Sequence, residues 1–102
     1  MVLKGVIIEE SLSDKSVLKE FKIINTETET VTDKHKTPWV SKWTCHRVEI
    51  NDENIDIDSI CNKLQNALDK EHEWYIELKN NRYEITIFND NIIKRKLPLF
   101  KQ

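Results

Sequence analysis

Ile57, Ile60, Cys61, Leu64 and Leu68 recur at three- and four-residue spacing, which is the period of a helix with a single apolar stripe. No other segment carries that period as far. Elsewhere the apolar residues come as short β-branched runs or two-residue alternations, and no uninterrupted apolar run is longer than three residues. An amphipathic helix in such a chain has to bury its stripe on a sheet, so the expected fold class is α+β.

Residues 3–10 (LKGVIIEE) read as a strand, with Gly5 marking a bulge or a close backbone approach. Ser13 or Asp14 can cap a short helix carrying Val17, Leu18 and Phe21. From Lys22 the chain is β-rich, its far half polar and exposed. Residues 32–40 (TDKHKTPWV) lack either period and form the longest loop. Residues 42–50 (KWTCHRVEI) are strand again, with Trp43 and Cys45 facing away from Thr44, His46, Val48 and Ile50. Either both faces of that strand are partly covered or a bulge switches its phase.

Asp56 or Asp58 caps the main helix, and Lys70 and His72 suit its last turn, so it should stop near His72. Asn80-Asn81 then suits a tight hairpin between strands 74–78 and 83–88, because asparagine tolerates positive φ. That turn sets Leu78 opposite Tyr83, Ile76 opposite Ile85 and Trp74 opposite Ile87. A second turn at 89–91 returns a last strand, 92–96, before a short tail at 97–102. The expected order is β-α-β-β-α-β-β-β in one 102-residue domain, a two-layer sandwich with two helices on one face of a mainly antiparallel sheet. Its first six elements match the ferredoxin-like βαββαβ order.

Composition narrows function by exclusion. Gly5 is the only glycine, so the glycine-rich loops that cradle phosphates are missing. With 16 basic and 18 acidic residues the net charge is −2, which gives no overall attraction to nucleic acid or an anionic membrane. No apolar run approaches the ~20 residues that span a bilayer. The first apolar run ends at Glu9 and Glu10, unlike a signal peptide, and Cys45 and Cys61 are the only cysteines, so the expectation is a cytoplasmic chain with free thiols.

Several groups invite a chemical reading. His35, Cys45, His46, Cys61 and His72 are the soft ligands, but zinc needs about four converging donors, and adjacent Cys45 and His46 point to opposite faces. No metal or cofactor is expected, and Cys61 falls in the helix stripe as core. Asp52, Asn54, Asp56 and Asp58 alternate like a calcium loop, yet the sixth and twelfth positions hold Ile57 and Lys63 instead of Gly and Glu. Glu77 and Glu84 face each other in the expected hairpin, with Lys96 relieving the repulsion from the next strand. Lys94, Arg95, Lys96 and Lys101 make the chain end basic, which also protects an edge strand from aggregation.

Trp39 and Trp43 lie on one face if the strand is regular through both. They form either a stacking platform or a plug over the core. The leading reading is a non-catalytic binding or regulatory module using the 35–43 loop, with Trp39, Trp43, His35 and His46 as contact residues and an unknown protein or small molecule as partner. The alternative is a small hydrolase or transferase with His46 or His35 as general base beside a carboxylate or Cys45. A homo-oligomer paired through an exposed sheet edge is a third option.

The segments KGVIIEES, HKTPWVSKWTCHRVEI and EHEWYIELKNNRYEITIF, in this order across nearly the whole chain, resemble a group of short uncharacterised bacterial proteins of unknown function. The resemblance implies a free-standing bacterial cytoplasmic domain. It transfers no activity, cofactor or site residue.

Overall fold

The computed structural model describes residues 2–32, 40–51, 53 and 56–98, with side-chain surroundings left open at 31, 32, 40 and 41. It is an α+β fold. Six strands form one antiparallel sheet: β1 (Val2–Ile8), β2 (Lys22–Thr32), β3 (Val40–Asn51), β4 (Ile76–Lys79), β5 (Tyr83–Ile87) and β6 (Ile92–Lys96), in the spatial order β2-β3-β1-β4-β5-β6. One α-helix, α1 (Ile57–Ala67), crosses from β3 to β4. None of the helices is long and apolar enough to cross a membrane among the described residues.

Alternation sorts the side chains onto two faces. Leu3 and Ile7 of β1, Val48 and Ile50 of β3, Ile76 and Leu78 of β4, and Ile85 and Ile87 of β5 share the helix side. There they meet Ile60, Cys61, Leu64, Ala67 and Leu68 in one buried cluster. Each large aliphatic side chain buried this way contributes about 1.5 to 3 kcal/mol by leaving water. Gly5 lies where β1 meets β4. A Cβ there would sit 2.4 Å from the Glu77 carbonyl oxygen and 2.8 Å from Leu78 Cδ2, so the expected close approach is the reason for glycine.

The first crossover differs from expectation, because no α-helix forms between β1 and β2. Glu9–Ser11 and Lys15–Glu20 are two 3-10 turns, so Glu9 and Glu10 leave the strand that their sequence suggests. Asp14 caps the second, accepting from the Ser16 N–H at 3.0 Å, and Val17 and Phe21 are buried beneath it. Six residues with three apolar anchors make too short a helix to nucleate on local hydrogen bonds alone.

Helix α1 begins as its sequence predicts, with Asp56 accepting from the Asp58 N–H at 3.1 Å, but it ends well before His72. Ser13 N–H donates to the Ala67 carbonyl at 2.7 Å, Asp69 N–H donates to the Ser11 carbonyl at 2.8 Å, and Leu68 bridges to Leu12. The first crossover therefore closes the helix from outside. Lys70 and His72 fall in the following turn and complement no helix end.

The first hairpin keeps its expected face but changes partners, and the second changes both. The first turn centres on Asn81-Arg82, with Asn80 Oδ1 accepting from the N–H groups of Arg82 (2.8 Å) and Tyr83 (3.0 Å). Leu78 thus pairs with Ile85 and Ile76 with Ile87, two residues from the expected register, and Trp74 precedes β4 unpaired. No described residue, glycine included, has positive φ, so Asn80 acts as an acceptor and not as a left-handed residue. The second turn centres on Asn89-Asp90, a slip of one that places Arg95 opposite Glu84 and Lys96 opposite Tyr83. Glu84 faces Lys79 and Arg95, and Glu77 faces Thr86, so the expected Glu77/Glu84 repulsion does not arise.

Candidate functional site

Among the described residues, no helix lies on the face of the sheet opposite α1. Register puts Val2, Lys4, Val6 and Ile8 of β1 there, with Trp43, Cys45, Arg47 and Glu49 of β3 and Glu77 and Lys79 of β4. β3 keeps its phase throughout, and the irregularity lies in its neighbour: between Ile23 and Asn25 the β2 register shifts, and Ile24 opens onto this face. Of the six exposed large hydrophobics among the described residues, Val2, Val6, Ile24, Tyr75 and Ile93 belong to the helix-free side; Ile23 is the exception.

A concavity of about 640 Å³ lies at the centre of this face. Val6 and Ile8 form its floor and Ile24, Trp43, Trp74 and Tyr75 its apolar wall. The Trp43 and Trp74 ring centroids stand 5.2 Å apart at 68°, an edge-to-face contact. Trp74 also packs on the core edge, so it fixes the orientation of Trp43. Charges of both signs rim the hollow: Lys4, Arg47 and Lys79 with Glu49, Glu73 and Glu77. Lys4 Nζ lies 3.9 Å from Glu49 Oε1, whereas Arg47, Glu77 and Lys79 have no ion-pair partner among the described residues.

Trp43 and His46, both expected contact residues, therefore sit on opposite faces. His35 and Trp39 lie outside the described residues, so no placement is given to either. Trp74, expected opposite Ile87 in a hairpin, instead stands beside Trp43. A usable signal for the whole face was present in β1, whose apolar residues fall on both of its sides, the pattern of a strand that both faces want covered.

His46 is only 7% exposed and occupies a different setting. Its Nε2 lies 3.0 Å from Glu9 Oε1 and its Nδ1 lies 2.9 Å from Thr26 Oγ1. The first 3-10 turn delivers Glu9, and the β2–β3 pairing delivers Thr26 directly opposite His46. With a neutral ring, Nε2–H donates to the carboxylate and Nδ1 accepts from the hydroxyl. The carboxylate–imidazole–hydroxyl order is that of a hydrolytic relay, but a relay also needs a hollow where an acyl carbon meets the hydroxyl. His46, Thr26 and Glu9 line none of the four concavities described.

Cys45 turns to the helix-free side, away from His46. Burial, followed by the nearby carboxylates of Glu29, Glu10 and Glu27, pushes its thiol above the ordinary value. The thiolate is disfavoured, so a nucleophilic Cys45 has no support. Cys61 is buried in the core, and burial raises its thiol as well. Asp69, Glu71 and His72 bring three ligand atoms within 4.8 Å of one another in the exposed turn after α1. Asp69 is already engaged there by the Glu71 N–H at 2.9 Å and His72 Nδ1 at 2.7 Å. Three donors also fall short of the about four that a zinc site converges.

No protein-family model, curated protein or solved structure matches this chain.

Proposed function

We propose that this protein is a non-catalytic binding module whose contact surface is the helix-free face of the sheet, anchored by Trp43 at the end of the 35–43 segment. The observation that carries this reading is the concentration of exposed apolar side chains on one face around a fixed indole pair. Exposed apolar patches of this kind mark contact sites, because water leaves them at a gain when a partner arrives. The partner is a protein or an amphipathic small molecule, in keeping with the mixed rim charges; neither nucleic acid nor membrane fits a rim with both signs.

The accompanying fold reading is a ferredoxin-like core with β5 and β6 added at one edge. In its favour, β4-β1-β3-β2 run in that spatial succession and both crossovers skip a strand. The cellular setting we favour is the bacterial cytoplasm.

The test uses 8-anilinonaphthalene-1-sulfonate (ANS), an apolar anionic probe, titrated into dilute protein. Saturable binding that quenches indole emission, and that Trp43→Ala and Val6→Glu weaken without lowering the melting temperature, supports the reading. Absence of binding, or equal binding by both variants, overturns it.

A second reading has one observation in its favour, the Glu9–His46–Thr26 arrangement. It makes the protein an acyl hydrolase with Thr26 as nucleophile, His46 as general base and Glu9 orienting the ring. Hydrolysis of p-nitrophenyl acetate that is lost alike in Thr26→Val and His46→Gln supports it; wild-type rates in both variants dispose of it.

A further inference from the structure

We infer that the occupant of the helix-free face is a second copy of this chain, packed sheet on sheet. The inference rests on the binding reading above and names its partner. Its basis is the charge pattern written by the strand register. At the level of Lys4, β1 is flanked by Glu49 on β3 and Lys79 on β4. One step along the same face, Val6 is flanked by Arg47 on β3 and, by continuation of the β1–β4 register, by Glu77 on β4. The two sides of β1 are thus opposite in charge at both levels.

A face laid on its own copy requires a two-fold axis in the plane of that face. If the axis runs along β1, the β3 side of one copy covers the β4 side of the other. Arg47 then meets the partner's Glu77, and Glu49 meets the partner's Lys79, in both symmetry-related places. An axis across the strands at Val6 would instead stack Arg47 on Arg47 and Glu77 on Glu77. On the two flanks of β1 the first arrangement attracts and the second repels, while Lys4, which falls on the axis beside its own copy, keeps Glu49 at 3.9 Å as a countercharge. The first arrangement also places Val6 and Ile8 of both copies on the axis, with the ion pairs one strand to either side.

Area agrees with this. With the axis along β1, β6 overhangs and five strands of each copy face each other; at about 4.8 Å spacing and about six residues of about 3.4 Å they give a face of roughly 500 Å². Two such faces remove about 1,000 Å² from water, the size of a small, reversible interface. The alternative occupants, an unlike protein or a small amphipathic ligand, have no equivalent feature: neither explains why the charges on the two sides of β1 are inverted.

Sedimentation velocity with paired charge reversals provides the test. Wild type is expected to dimerise, and ANS bound per chain should fall as protein concentration rises, since probe and second copy compete. Val6→Glu, Arg47→Glu and Glu77→Arg should each raise the dimer dissociation constant by roughly tenfold or more. An equimolar mixture of Arg47→Glu and Glu77→Arg should regain the dimer, because Glu at 47 then meets Arg at 77 across the interface in both places. Circular dichroism melting checks that each variant folds, and all three sites are exposed on the strands. A wild type that stays monomeric while binding ANS on this face overturns the second copy but leaves the binding reading intact. A monomer that binds no ANS removes both. A dimer indifferent to all three substitutions uses another surface and likewise overturns the inference.

Discussion

The two faces of the sheet are made from the same six strands, yet they have opposite fates. On the α1 side, Leu3, Ile7, Val48, Ile76, Leu78, Ile85 and Ile87 are almost wholly buried. On the other side, Val6 is 44% exposed, Ile24 47%, Ile93 47% and Tyr75 57%. Hydrophobicity alone does not separate them, since valine and isoleucine populate both. What separates them, among the described residues, is that α1 and the first crossover cover one face only. An apolar residue stabilises the fold when something covers it, and otherwise it remains available for association.

Substitutions on the two faces should break or sharpen this contrast. The largest effect belongs to Leu64→Ala, which empties a fully buried position of α1 and should cost about 3 to 5 kcal/mol in chemical denaturation. Val6→Ala in dilute protein should stay within about 0.5 kcal/mol. Similar costs for the two would end the comparison.

Gly5 belongs to both faces because it sets how closely β1 and β4 approach. Gly5→Ala forces a Cβ toward the Glu77 carbonyl and should cost about 3 kcal/mol by the same measurement. A neutral result would mean that the two strands have room to separate.

His46 is the polar exception on the covered side. His46→Ala strands the Glu9 carboxylate and the Thr26 hydroxyl, with an expected loss of about 1 to 3 kcal/mol. If Glu9→Gln in the His46→Ala background costs as much as it does in wild type, the two residues are not coupled.

The smallest effect is electrostatic and lies near the open side. For Glu10, desolvation is the largest single influence and pulls upward, but the Thr44 N–H bond at 2.6 Å, hydrogen bonds from its own backbone and the Thr44 side chain, and the Lys15 charge together outweigh it and hold the carboxyl below its ordinary value. A lowered folded-state value favours the charged form on folding. Its stabilisation is therefore full above the ordinary carboxylate range and disappears as pH falls through the folded-state value. Stability curves against pH should be flatter on the acid side in Glu10→Gln than in wild type.

Much of this architecture can be read from residue pattern, and the errors have consistent causes. The α1 stripe and the Asp56 cap are local, and both stand as expected. In the first hairpin the apolar face is right and every partner is wrong by two positions, because face depends on odd or even spacing whereas pairing depends on how the turn closes. The second hairpin slips by one, so Arg95 and not Lys96 answers Glu84. The helix end was misplaced because the donors that close it, Ser13 and Asp14, approach from more than fifty residues upstream. Of the candidate site, Trp43 was legible as an indole at a strand end, but its neighbour Trp74 comes from across the sheet.

The sequence by itself determined which residues face the same way, since backbone periodicity converts spacing into direction without reference to the rest of the chain. It also determined that one helix with one stripe must lie on a sheet. Only the tertiary structure decided which of the two apolar faces receives that helix, that Glu9 and Thr26 meet His46, and that opposite charges flank β1. Those outcomes depend on strand order and on crossovers that join distant segments, and no local spacing encodes them.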